Sequence, residues 1–431
     1  MKNILRSMKL WQKFAALGVI GAVMTAVPTI KVVEYKTAEA AVAESEDAGL
    51  DPARTAIAMM RSLQQHRGLS GIALNGSAAA DGERRALRQE VGKSMDLLLK
   101  QVQDLGYKVS ANDVQSLKAE WEKLGTQVDT KSISPAESFS AHSQLIDHTL
   151  RSIESMADAS GLSLDPVAET YFVMTAAVDH LPRLTEAMAR LRGLGAAMLS
   201  AKEISAQERA RLAHLAEQSH YLLDRASAQF AKASEIRPSM KKALDGVTAA
   251  HDEATKFFTL AEKELMGSAK PTLAAADFFR AGTAAVDAQY QLIEVANHTL
   301  EEALHERIHD TNQARTMLLA LLGGLTLVAA GLGIAITRSV TRPLGHAVDA
   351  ANAVAAGNLE FAIDSSGQDE AARLLGRFTE MQTQLRQRRA DDEQRRADAE
   401  AAALAATQVA EEIGDAVDGA TQGDFTRRIA T

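Results

Sequence analysis

The sequence predicts an all-α membrane protein that consists of one or more periplasmic long-helix bundles, two transmembrane helices and a cytoplasmic coiled coil. Its composition, with 46% hydrophobic but only 4% aromatic residues, suits long helices better than β-sandwiches or barrels. Apolar residues recur at spacings of three and four, and no long run alternates with a period of two. Two uncharged apolar segments are also long enough to cross a bilayer.

The same composition argues against several functions. The chain contains no cysteine, which excludes disulfides, thiol nucleophiles and thiolate metal sites. Its formal net charge of -9 argues against binding of nucleic acid. His305 and His309 stand four residues apart, but two ligands do not make a metal site. Because no catalytic triad or nucleotide-binding glycine loop is present either, we expect no enzyme activity, metal or cofactor.

The first apolar segment is uncharged over residues 14–30 and extends to residues 14–33 if Lys31 reaches the membrane interface. A cleaved signal peptide is the rival interpretation, but the small-residue site at 41–43 lies far past the apolar stretch, which favours a retained anchor. The second segment, residues 317–337, is uncharged throughout. Basic residues precede the first segment and follow the second, so both termini are expected in the cytoplasm of a two-pass protein of the bacterial inner membrane.

The region between the two segments is predicted to form about seven helices, with one long helix leaving each membrane segment. Its helical pattern is interrupted at Asn75-Gly76-Ser77, Gly106, Ser134-Pro135, Gly161 with Pro166, Arg237-Pro238 and residues 267–271. This length exceeds that of a single four-helix bundle, which favours two stacked bundles that share long helices.

Two segments of this region place an arginine before a glycine within a helical pattern, at Arg67-Gly68 and Arg192-Gly193. Glycine inside a helix costs about 1 kcal/mol relative to alanine, so each pair requires a reason. One reason is close helix packing, and the other is space for a small ligand beside the arginine. A guanidinium suits a planar oxyanion because it donates two parallel hydrogen bonds.

The run Leu-Gln-Gln-His-Arg-Gly-Leu-Ser around Arg67 resembles the opening helix of nitrate- and nitrite-sensing domains, which carry a Glu-Arg-Gly-type motif. His66 replaces the acidic residue here, and Leu191 does so in the second copy. The resemblance implies that Arg67 and Arg192 bind a small ligand such as nitrate, nitrite or a small carboxylate. Helical bimodular sensors of organic acids have the same size, and the alternative role for both arginines is a salt bridge on a helix surface.

The stretch after residue 337 resembles a HAMP module, the relay of chemoreceptors and sensor kinases. The residues that carry this resemblance are Pro343 near the membrane, Gly357, Leu359 and Ile363 in the connector, and Asp369 and Glu370 at the start of a second helix. Pro343 is expected to begin a new helix and to break the membrane helix. The second helix has an apolar stripe that a parallel homodimer would bury in a four-helix coiled coil; the alternative is a generic coiled-coil stalk.

The connector pattern recurs 66 residues later, at Gly423, Phe425 and Ile429. This recurrence predicts a second HAMP-like unit. Because that unit stops at Thr431, we expect the chain to be a fragment or a truncated gene product. The expected segments are a cytoplasmic N-terminus (1–13), a transmembrane helix (14–33), a periplasmic sensor domain (34–314), a transmembrane helix (317–337), a HAMP module (338–390), a charged helical linker (391–408) and the second unit (409–431).

This organisation resembles the N-terminal part of a methyl-accepting chemotaxis protein. The resemblance implies a homodimeric receptor in membrane lipid that senses a small periplasmic ligand. Its partners, reached through an output domain outside this chain, would be a chemotaxis kinase and a coupling protein. The alternative is the sensor half of a histidine kinase or of a diguanylate cyclase.

Overall fold

The computed structural model describes residues 7–201, 204–268, 271–423 and 426. Within these residues the chain is helical, no strand occurs, and the predicted all-α class is confirmed. The helices are α1 (Leu10–Leu74), α2 (Ala78–Asp104), α3 (Lys108–Asp129), α4 (Pro135–Ser160), α5 (Ala168–Met174), α6 (Leu181–Ala201), α7 (Ala206–Ile236), α8 (Pro238–Ala243), α9 (Gly246–Ala261), α10 (Ala275–Ala355) and α11 (Glu370–Thr421). Two π-helical segments, Thr175–His180 and Glu262–Gly267, follow α5 and α9.

Each predicted helix break separates two helical segments, and the structure adds two further breaks, one between α8 and α9 and one between α6 and α7. There the Ser205 hydroxyl accepts a hydrogen bond from the backbone N–H of Glu208, whose carboxylate accepts one from the Ser205 N–H in return. This capping box satisfies two backbone donors at the start of α7. It contains no glycine or proline, and the break predictions depended on those two residue types.

Residues 31–318 form one compact unit with a continuous apolar core. In this unit α3 packs against α2 and α4, whereas α7 packs against α5, α6, α8 and α9. Side chains such as Met60, Leu98, Phe230 and Phe257 are buried in the core. Each such side chain contributes about 1.5–3 kcal/mol through removal of apolar surface from water.

Residues 1–30 and 319–431 belong to a second unit. The two predicted membrane segments lie within α1 and α10, and both are long and apolar enough to cross a membrane. Their apolar side chains are exposed within the chain, as at Ile20 and Leu327. Surfaces of this kind suit lipid, which removes them from water.

Pro343 does not begin a new helix, because α10 continues through it to Ala355. The prediction that Pro343 breaks the membrane helix is therefore wrong. Proline lacks its own N–H, so the helix loses the single hydrogen bond that would have reached the Ser339 carbonyl. Ser339 is exposed, and water can take the place of the lost donor.

The connector between α10 and α11 is bounded by two residues with defined backbone roles. Gly357 has a φ of +81°, the left-handed conformation that glycine adopts without strain. At the other end the Asp369 carboxylate caps α11 by accepting a hydrogen bond of 2.9 Å from the Ala372 N–H. Glu370 is the first residue of α11 and is exposed.

The connector is held against α11 by two side chains of that helix. Gln382 donates a hydrogen bond of 2.9 Å from Nε2 to the Phe361 carbonyl, and Arg386 donates one of 2.5 Å from Nε to the Leu359 carbonyl. The side chains of Leu359 and Ile363 are half-buried.

The expected second connector begins at Gly423, whose φ of +83° matches the conformation of Gly357. The rest of the pattern, including Phe425 and Ile429, lies outside the described residues.

A buried histidine pair joins α1 to α4 in the sensor core. His66 Nδ1 lies 2.8 Å from His142 Nε2, and His142 Nδ1 lies 2.7 Å from the Ser138 carbonyl, to which it donates. The Trp121 ring packs edge-on to His66 at a centroid distance of 4.7 Å. Burial, and then the charge of its partner, lower the pKa of His66 to about 2. Burial lowers the pKa of His142 to about 4.

We expect this pair to make the sensor unstable in mild acid. Below pH 6.5 the unfolded histidines bind protons that the folded ones exclude, so the free energy of unfolding falls by about 1.4 kcal/mol per pH unit for each. This loss extends from about pH 6.5 down to the folded-state pKa of about 4 for His142. Urea unfolding of the full chain in detergent, followed by Trp121 fluorescence, measures the slope. His142→Gln should remove about half of the slope of unfolding free energy against pH. His214→Gln, at an exposed position, should remove none of it. Equal slopes in the wild type and both variants would contradict the role of the histidine pair.

Candidate functional site

The two arginines singled out by the sequence lie on α1 and α6, and both are buried. Arg67 is 3% exposed and Arg192 is 8% exposed. Neither is therefore a surface residue, although Arg67 does form a salt bridge. Their surroundings differ in one decisive way, which is the presence or absence of a carboxylate partner.

Arg67 binds the carboxylate of Glu186 through both arms of its guanidinium. Nη1 donates to Oε1 at 2.6 Å, and Nη2 donates to Oε2 at 3.2 Å. Nη1 also donates to the Ser143 hydroxyl at 2.9 Å. The guanidinium lies 4.8 Å from the centroid of the Phe139 ring, a cation–π distance.

Glu186 has two further donors, and the network that they belong to extends to α10. Arg190 donates from Nε to Oε1 at 2.6 Å, and Gln64 donates from Nε2 to Oε2 at 3.0 Å. Arg190 also binds Asp147 of α4 at 2.5 Å, and the Tyr290 hydroxyl of α10 donates to Gln64 at 3.0 Å. Burial opposes the charge of Arg190, but Glu186 and Asp147 raise its pKa above the ordinary value.

Arg192 has no ion pair with any described residue. Its Nη1 donates to the Thr283 hydroxyl of α10 at 3.0 Å, and its guanidinium lies 4.7 Å from the centroid of the Phe279 ring. Its Nε is buried and has no hydrogen-bond partner. Burial, and then the neighbouring charge of Arg67, lower the pKa of Arg192 to about 10. A buried guanidinium in this state is costly, and an anion would supply both the missing charge and the missing acceptor.

Close packing requires a glycine at some positions near the two arginines but not at others. A Cβ on Gly193 would lie 3.1 Å from the Phe139 ring, so this glycine makes space for the ring that covers Arg67. A Cβ on Gly282 would lie 2.8 Å from Cγ of Arg192. Gly68, in contrast, would meet nothing within 4 Å. Close packing therefore accounts for Gly193 and not for Gly68.

A second group of basic residues, on α2 and α3, lines a cavity of about 430 Å³ with Trp121. Each of these cations is paired with a carboxylate. Arg85 binds Asp81, Arg88 binds Asp129 and Lys118 binds Asp96. Arg84, which is buried and does not line the cavity, binds both Asp81 and Asp129. Glu122 also lines the cavity, so with Arg84 the four cations face four carboxylates. Because its charges balance, this cavity is a weaker candidate for an anion than the surroundings of Arg192.

Sequence reasoning identified Arg67 and Arg192 but missed Glu186, Thr283 and Phe279. Glu186 stands four residues before Arg190, a spacing that predicts a pair along a helix but not a contact with Arg67. No cluster of three or more potential metal ligands occurs in the described part of the chain. The HAMP relay residues lie in the other unit and take no part in this site.

Comparison with known proteins assigns both regions to families. Residues 58–309, more than half of the chain, match the family model described as nitrate and nitrite sensing, and residues 335–387 match the HAMP domain. The structure of the NasR transcription antiterminator is similar at 15% identity and a TM-score of 0.40, over 86% of this chain and 95% of that one. No curated protein matches the sequence.

These matches confirm the resemblance to nitrate- and nitrite-sensing domains and to a HAMP module. Both families are sensory or signalling families and not catalytic ones. With the two apolar helices, they make the protein a membrane-spanning signal transducer. The chain belongs to the nitrate and nitrite sensing family.

Proposed function

We propose that the chain is a transmembrane receptor that binds nitrate or nitrite outside the membrane and relays the signal through its HAMP module. The observation that carries the proposal is the buried guanidinium of Arg192, which has an unpaired Nε and no ion-pair partner among the described residues. The family description supports the choice of anion.

The surroundings of Arg192 suit a small planar anion. Nε–H is a free donor, the Thr283 hydroxyl lies beside the guanidinium, and the Phe279 ring provides a flat apolar face. Arg67 adds a second positive charge nearby. Small carboxylates share the planar oxygen pair, so the binding experiment includes acetate as a competitor.

Replacement of Arg192 should weaken anion binding strongly. Isothermal titration calorimetry of the full chain in nanodiscs should show binding of nitrate or nitrite at constant ionic strength. Arg192→Gln should weaken it by about tenfold or more, because a hydrogen bond to a charged group contributes about 1.5–3 kcal/mol. Arg192→Lys should restore little, since an ammonium lacks the guanidinium fork.

Arg280→Gln is the matched control, because Arg280 lies on α10 near Thr283 but is exposed and pairs with Asp277. It should bind nitrate as the wild type does. Wild-type affinity in Arg192→Gln would place the ligand elsewhere, and tighter binding of acetate than of either nitrogen oxyanion would argue for an organic-acid sensor.

We also propose that the receptor is a homodimer through its HAMP module. Leu374 and Met381 of α11 are 42% and 38% exposed in the single chain. They stand seven residues apart with Phe378 between them, the spacing of a coiled-coil seam. A second copy of this chain would cover that apolar face.

Single cysteines can test the dimer directly, because the chain contains none of its own. Met381→Cys in membranes should form disulfide-linked dimers on mild oxidation. Glu380→Cys, on the neighbouring residue but another face of α11, should cross-link far less. Equal cross-linking of the two variants would contradict the parallel bundle.

Inner-membrane topology with both termini in the cytoplasm remains part of the proposal, supported by the basic residues outside the two apolar segments. A cysteine at Leu164, which is 85% exposed, should react with an impermeant maleimide in bacterial cells whose outer membrane has been permeabilised. A cysteine at exposed Ala397 should react only after lysis. Labelling of both or of neither before lysis would contradict this topology.

For the output we propose a chemotaxis kinase and its coupling protein as cytoplasmic partners. The support is the recurrence of the connector pattern after a charged helix, which by resemblance is commoner in chemoreceptors. The alternative, a histidine kinase or diguanylate cyclase, places the output enzyme on the same polypeptide. Nitrate-dependent autophosphorylation of a chemotaxis kinase, added to the whole receptor with its output domain, separates the two, since its absence would favour the alternative.

A further inference from the structure

The carboxylate of Glu186 occupies the guanidinium fork of Arg67, where an external oxyanion would also bind. It accepts two hydrogen bonds from Arg67, one from Arg190 and one from Gln64. A carboxylate presents two oxygens in a plane, as nitrite does and as each edge of nitrate does. Glu186 therefore stands chemically in the place of a ligand on Arg67.

The charges of this buried cluster do not balance. Three guanidiniums, those of Arg67, Arg190 and Arg192, face two carboxylates, those of Glu186 and Asp147. One positive charge is therefore left over in a cluster in which Arg67, Arg192 and Glu186 are buried, while Arg190 and Asp147 are partly exposed. The nearby pair Arg61–Asp287 is neutral by itself. One monovalent anion would neutralise the cluster, whereas a divalent anion would leave it negative.

We propose that Glu186 is an internal counter-ion that Arg67 releases when a monovalent oxyanion binds between Arg67 and Arg192. This inference rests on the proposed function, in which the anion binds at Arg192. After the exchange Glu186 keeps its hydrogen bond of 2.6 Å to Arg190, so no buried carboxylate is left without a partner.

The exchange would change a connection between two helices. Arg67 belongs to α1 and Glu186 to α6. The ion pair between them ties the two helices in the anion-free state, and binding of the anion releases this tie. Because α1 also contains the first apolar segment, the exchange acts on a helix that enters the membrane.

Affinities of the full chain in nanodiscs for sodium nitrate and sodium sulfate, at constant ionic strength, test this exchange. The wild type should bind nitrate and discriminate against sulfate. Glu186→Gln frees Arg67 and adds one positive charge, so nitrate affinity should rise by about fivefold or more, the low end of typical coupling between sites. Sulfate binding should become detectable in this variant.

Two further variants make the test specific. Asp147→Asn adds the same charge but leaves the fork between Arg67 and Glu186 in place, so its gain in nitrate affinity should be smaller. Glu186→Asp keeps the charge and shortens the side chain, which weakens the fork. Glu186→Asp should raise nitrate affinity moderately while sulfate stays excluded. Because this variant keeps a buried carboxylate, it also serves as the test if Glu186→Gln does not fold.

The outcomes separate this inference from the proposed function. If the wild type binds nitrate but the Glu186 variants bind it no more tightly, the exchange is wrong and the receptor function stands. An equal gain in Asp147→Asn and Glu186→Gln would likewise overturn the exchange, because charge alone would explain it. If the wild type binds no nitrate or nitrite, the proposed function fails and the exchange fails with it.

Discussion

An uncompensated positive charge lies where α1, α4, α6 and α10 meet, and the account of function depends on it. Burying a guanidinium without an anion is costly, and proteins commonly avoid that cost by pairing. Arg67, Arg84 and Arg190 are paired in this way, whereas Arg192 has a hydroxyl, an aromatic ring and a free Nε. A site with this imbalance gains stability from an anion, because ligand that binds only the folded state stabilises it by mass action.

The packing around the site maintains this arrangement. Phe139 covers Arg67 and Phe279 covers Arg192, each at a cation–π distance. Gly193 and Gly282 leave the space that these aromatic and arginine side chains require. The His66–His142 pair is neutral at physiological pH because burial lowers the pKa of both rings. The cluster therefore gains no extra positive charge from these two rings.

Local signals in the sequence predicted much of the fold. Glycine and proline marked most helix breaks, but the break at Ser205 depended on a capping box without either residue type. The prediction that Pro343 breaks the membrane helix was wrong, because one lost hydrogen bond at an exposed position does not end a long helix. The two arginines of the candidate site stood out in the sequence as repeated Arg-Gly pairs. Their partners were not, because Glu186 lies 119 residues from Arg67 and Thr283 lies 91 residues from Arg192, and helical periodicity does not specify which faces meet.

Structures of the full chain determined with and without nitrate would test the central claim most directly. The account predicts that, in the nitrate-bound structure, an anion lies within hydrogen-bond distance of Arg192 Nε, beside Thr283 and the Phe279 ring. In the anion-free structure, Nε should have no protein acceptor. A protein carboxylate bound to Arg192 in the anion-free structure, or nitrate bound at another position while Nε stays unpaired, would contradict it.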